Sequence, residues 1–189
     1  GDLSPAISAG ASSFTIDGVT YSAPANDLEG NVRPNPSGSN PDMGAYESPR
    51  GLDPSYDGPV WYVEAPGVPY ANGGPGAPYS TIVEGIAAAE DGDTVFVREG
   101  TYTENIDFGG KDIVVVGENR ETTVIDGGQS GSVVRFQNGE TKEAVLENLT
   151  LINGSDTQGG GVYITTASPT LRNLIISQNS ASSGGGISI

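Results

Sequence analysis

Glu90-Asp91-Gly92-Asp93-Thr94 places three carboxylates within four residues. A tight acidic cluster suits Ca²⁺, which takes about six to eight oxygen ligands, so Glu90, Asp91 and Asp93 are the calcium candidates. The plainer expectation is that Asp91-Gly92 ends a helix. Further along, Asp126 and Asp156 are acids in turns, and Arg135 and Arg172 are arginines on strand-like runs. Cleavage of a glycosidic bond would need carboxylates paired across a cleft. No aspartates recur at an offset that stacking could bring together. Asp126, in Asp-Gly-Gly, reads as a turn former, and Arg135 and Arg172 read as solvated strand positions facing charged neighbours. No cofactor is assigned, calcium being the one cation the acids suit.

Composition narrows the chemistry. The 189 residues include no cysteine and no histidine, which excludes disulfides, the usual zinc sites and a histidine-based triad. Lys plus Arg number 8 against 24 Asp plus Glu, a formal charge of −16. Such a surface repels phosphate backbones and anionic lipid, so neither nucleic acid nor membrane insertion is expected. No apolar run reaches the ~20 residues that span a bilayer. The first residue is Gly1, which suggests a processed or excised piece.

The elements that would position any site announce themselves as a repeat. "ENLTLINGSDTQGGGVYI" (147–164) maps onto "RNLIISQNSASSGGGISI" (172–189) at a shift of 25 residues. Leu149 and Leu151 fall on Leu174 and Ile176, and Val162 and Ile164 on Ile187 and Ile189. The alternation has a period of two within short runs bounded by Gly, Ser and Asn, so these are strands. Similar runs occur at 94–97, 113–116, 123–125 and 133–136, spaced more loosely. Short strands at this recurrence, with no helix between them, predict a parallel β-solenoid whose coils rise ~4.8 Å each. Glu147 should then lie beneath Arg172 as an ion pair, and Asn148 beneath Asn173 in an amide ladder. Asn148 and Asn153 also match the glycosylation pattern, but a ladder position is inaccessible.

One segment is helical. Thr81 and Glu84 form a capping box, Ile82, Ile86 and Ala89 make an apolar stripe, and Asp91-Gly92 follows. This helix is expected to cap the solenoid, which would begin at "TVFV" (94–97). Residues 1–48 are polar and rich in Pro and Gly, expected as an irregular β/loop segment. Residues 49–59 read as a linker, and 60–189 as the cap and about four coils.

With these residues in view, "WYVEAPG…PYSTIVEGIAAAEDGDTVFVREGTYTENI" (61–106) resembles the start of right-handed parallel β-helix proteins of the pectin lyase-like type. "IVVVGENRETTVIDGGQSGSVVRF" resembles the coils that follow. Residues 4–47 resemble the closing segment of secreted bacterial β-helix proteins. That resemblance implies that Asp27, Arg33, Asp42 and Glu47 form a charge network in a C-terminal coil or cap, with the tail of one β-helix preceding the head of another.

The expected fold class is therefore all-β, a right-handed parallel β-helix with a short capping helix. The expected function is a non-catalytic, extracellular structural, adhesive or carbohydrate-contacting module of a large bacterial surface protein. Its partners would be polysaccharide or neighbouring copies joined head to tail into a filament. The alternative is the N-terminal part of a polysaccharide lyase or glycoside hydrolase whose site lies in further coils. Trp61, Tyr62, Tyr70 and Tyr79 could stack on sugar rings, although packing under the helix is the plainer role.

Overall fold

The computed structural model describes residues 13–16, 19–22, 25–26, 56–67 and 71–189. Asp27, Arg33, Asp42, Glu47 and Tyr70 lie outside the described residues.

Strands β1 (Ser13–Ile16) and β2 (Val19–Ser22) pair antiparallel. β3 (Val60–Val63) comes before α1 (Ile82–Ala88), the one helix among the described residues. The strands that follow fall into four successive sets, or circuits. The first holds β4 (Thr94–Val97), β5 (Gly100–Thr103) and β6 (Ile106–Asp107), and the second β7 (Val114–Gly117), β8 (Thr123–Asp126) and β9 (Val134–Phe136). The third holds β10 (Val145–Glu147), β11 (Thr150–Ile152), β12 (Ser155–Gln158) and β13 (Val162–Ile164). The fourth repeats it as β14 (Thr170–Arg172), β15 (Ile175–Ile176), β16 (Ser180–Ser183) and β17 (Ile187–Ser188).

Each circuit adds one strand to each of three parallel sheets: β3-β4-β7-β10-β14, β5-β8-β11-β15 and β6-β9-β13-β17. β12 and β16 pair parallel beside them. The protein is thus mostly β, with stacked parallel sheets and one short helix, an arrangement compatible with a parallel β-helix. The sheet does not begin at "TVFV" as expected. Val60–Val63 already pairs with Thr94–Val97, Val60 opposite Thr94 and Val63 opposite Val97.

Alternation explains the core. In β3, β4 and β7 every second side chain is buried, because successive strand residues point to opposite faces. Val63, Val95, Val115 and Leu146 therefore meet Tyr102, Ile125 and Leu151 in one interior cluster with Ile106, Val134 and Val162. Phe108 and Phe136 pack with ring centroids 4.3 Å apart. Each fully buried aliphatic side chain contributes roughly 1.5–3 kcal/mol of transfer free energy. The looser spacing of the early runs has a simple cause: Thr94 pairs with Val114 and Val114 with Val145, whereas Val145 pairs with Thr170. Turns vary in length and the strands keep register.

The helix is held as the sequence implies and by more besides. Thr81 Oγ1 accepts the Glu84 amide at 3.2 Å and Glu84 Oε2 accepts the Thr81 amide at 3.0 Å. Ile82, Ile86 and Ala89 are buried. The helix stops at Ala88, before the expected Asp91-Gly92, which instead forms the turn into β4. Two side chains from the first circuit grip its ends. Glu104 takes the amides of Ile82 and Val83, each at 3.0 Å. Lys111 Nζ donates to the carbonyls of Ile86, Ala87 and Ala89 at 2.7, 3.0 and 2.7 Å. An acid at the N-terminus and a cation at the C-terminus also match the helix dipole.

Candidate functional site

The outward positions of β6, β9, β13 and β17 form a column: Asp107, Arg135, Tyr163 and Ser188. Strand alternation puts Arg135 outside because Val134 and Phe136 are inside. Two adjoining clefts share Arg135. One, of about 190 Å³, is lined by Arg135, Asp156, Thr157, Gln158 and Tyr163. The other, of about 280 Å³, is lined by Asn105, Ile106, Asp107, Ser130, Gly131 and Arg135.

Asp156 is the electrostatic centre. Its Oδ2 accepts from Arg135 Nη2 at 2.6 Å and from the amide and hydroxyl of Ser132, both at 3.1 Å. Its Oδ1 accepts from the amide of Thr157 at 2.6 Å. These donors favour the charged form, and the Thr157 amide, then Arg135, hold the carboxyl at about 2, below its ordinary 3.8. A carboxylate so held stays ionised at neutral pH and has no proton to give. The second cleft is braced likewise: Asn105 Nδ2 donates to the Ser132 carbonyl at 2.8 Å, and Gln137 Nε2 to Asp107 Oδ2 at 2.6 Å.

The other expected residues fall as follows. Glu147 and Arg172 are paired in register and joined by a 3.0 Å ion pair. Asn173 Nδ2 donates to Asn148 Oδ1 at 2.7 Å, and Asn148 Nδ2 to the Gly117 carbonyl at 2.6 Å. Of the calcium candidates, Asp91 Oδ1 accepts the Asp112 amide at 2.9 Å. Asp93 Oδ2 accepts the Glu90 amide at 3.0 Å and the Trp61 indole N–H at 2.9 Å. Among the described residues no three acidic side chains converge as a metal set. Asp126 is the turn former expected, its Oδ1 accepting the Gly128 amide at 2.9 Å. Trp61 is buried and stacks with Tyr79 at 6.2 Å, and both pack with the core cluster that includes Ile82 and Ile86, whereas Tyr62 faces outward beside Phe96.

Several residues of the site were not singled out from sequence: Ser132, Thr157, Gln158, Tyr163, Asn105 and Asp107. The alternation in "VVRF" was the available signal for Arg135. Asp156 reaches it from β12 across 21 residues, an offset no coil repeat marks. Glu140 also went unnoticed. It is 1% exposed, and its two oxygens accept the amides of Gly110 and Asn138, each at 2.9 Å, tying successive turns together. No helix among the described residues is long and apolar enough to cross a membrane. No family model matches the chain, and neither a curated protein nor a solved structure matches it.

Proposed function

We propose that this chain is a right-handed, pectin lyase-like parallel β-helix serving as a non-catalytic module at the outer surface of a cell, where it contacts polysaccharide. The observation that carries the reading is the state of Asp156. This carboxylate lines one cleft and pairs with the arginine that both share, and it is saturated by Arg135, Ser132 and Thr157, which makes it a rigid fixture and a poor proton carrier. The clefts around it offer amides, hydroxyls and the phenol of Tyr163, the inventory that hydrogen-bonds sugar hydroxyls. No cofactor enters the reading.

Head-to-tail self-association is the second reading, favoured by the edge strands. Leu171, Leu174 and Ile176 are only partly buried, and Ile187 is 40% exposed. Such edges pair with a further strand, whichever chain supplies it.

Incubation with pectin and alginate tests the main reading. Affinity electrophoresis should show retardation that Arg135→Gln weakens, with no unsaturated oligosaccharide released. Release of such products would restore the lyase alternative, and absence of any retardation would remove the contact function.

A further inference from the structure

The outward residues of the five-stranded sheet make two columns, one of which changes character along the stack. Val60, Thr94, Val114 and Val145 are in register, as are Tyr62, Phe96, Val116 and Glu147. Toward Glu147 and Arg172 the second column is charged. Toward β3 and β4 the second column is apolar and aromatic, with Tyr62, Phe96 and, on β7, Val116 half-buried at the surface. The core has no need of them, because Val63, Val95 and Val115 on the same strands fill the interior. In a chain of charge −16 this is an unusual place to leave aromatic surface.

The rings of Tyr62 and Phe96 meet edge to face with centroids 5.8 Å apart. The Arg98 guanidinium lies 5.9 Å from the Tyr62 centroid and pairs with Glu64. That pair is 34% and 44% exposed, so its remaining donors and acceptors reach solvent beside the rings.

We propose that Tyr62, Phe96 and Val116 form a second saccharide platform, which takes a neutral sugar chain. The apolar C–H faces of the sugar rings would lie on the aromatic and valine surface. Their hydroxyls would meet the Arg98–Glu64 pair, which supplies donors and acceptors together. Size decides against a protein partner. Three strands at ~4.8 Å and two outward residues per strand give a patch on the order of 150 Å², against roughly 800 Å² per side in a stable protein interface. One or two sugar rings match it. Local charge decides against an acidic glycan at this patch, because Glu64 and Glu147 border it. The platform shares its ligand class with the reading above but uses a different sheet, so the two stand or fall separately.

Titration calorimetry of the whole chain with cellohexaose, xylohexaose and mannohexaose tests it, with oligogalacturonate as the acidic comparison. At least one neutral probe should bind. Phe96→Thr and Tyr62→Thr should each weaken it about five- to tenfold, while the exposed Lys142→Gln leaves it unchanged. Threonine keeps strand propensity, and emission from Trp61, the single tryptophan, reports folding. Should either variant misfold, amide shifts of the unmodified protein on adding the same probe replace it, and they should centre on Tyr62, Phe96 and Val116. Failure of all neutral probes, shifts centred elsewhere, binding unaffected by both substitutions, or binding confined to oligogalacturonate would overturn the proposal. So would sedimentation showing that Phe96→Thr dissolves a dimer.

Discussion

Asn148 and Asn173, one circuit apart, share a 2.7 Å hydrogen bond from the amide of the upper residue to the carbonyl oxygen of the lower. Both sit in the left-handed backbone region, with φ of 63° and 48°. The two facts have one cause: a tight turn between sheets needs a residue that tolerates positive φ, and asparagine does so while bonding along the stack. Asn148→Ala should therefore cost about 2–4 kcal/mol, from backbone strain and from unpaired groups at Gly117 and Asn173. Asn173→Ala should cost less, since its surroundings are exposed. Urea unfolding of both variants measures the difference.

Lys111 closes the C-terminal end of α1 by reaching three carbonyls. Lys111→Met keeps the aliphatic stem and removes the donors. The expected loss is about 2 kcal/mol, with faster amide exchange confined to residues 82–89 and their contacts. Equal acceleration throughout the sheets would contradict a local clamp.

Acid should weaken the Arg135–Asp156 fixture in a defined window. The folded-state value of Asp156, about 2, lies below its ordinary 3.8. Its contribution is thus fully present above about pH 4 and is lost as pH falls through 2. Arg135→Gln removes a contributing cause, so its stability should fall less steeply over that window. Chemical denaturation at pH 5, 4, 3 and 2 measures the slopes.

Gly154 has no room for a side chain. A Cβ there would lie 1.8 Å from the Gly160 carbonyl oxygen. Gly154→Ala should cost about 2–3 kcal/mol. Gly76, whose Cβ would meet nothing within 4 Å, serves as the comparison, and Gly76→Ala should be neutral or slightly stabilising.

Much of this fold was legible because its order is translational. Once Leu149 and Leu174 were set one above the other, the Glu147–Arg172 and Asn148–Asn173 pairs followed from the same shift, and the structure places both in register. The capping box was legible because Thr81 and Glu84 are local. What escaped were contacts between turns of unequal length. Glu104 and Lys111 grip α1 from 21 to 25 residues away, and Glu140 is buried by two amides in separate turns. None joins residues of the repeat itself, although the Lys111–Ile86 separation equals its 25 residues. The Arg135–Asp156 pair escaped for the same reason, and Tyr62 was misjudged because its neighbour Trp61 points inward while it points out.

The claim on which both surfaces rest is that successive circuits lie in register. Through-hydrogen-bond couplings in NMR test it at the backbone itself. The amide of Ile175 should couple to the carbonyl of Leu149, and that of Ser177 to Leu151, matching N···O distances of 3.0 and 3.1 Å. Couplings of those amides to any other carbonyl would contradict the account, and with it every column described on the outer faces.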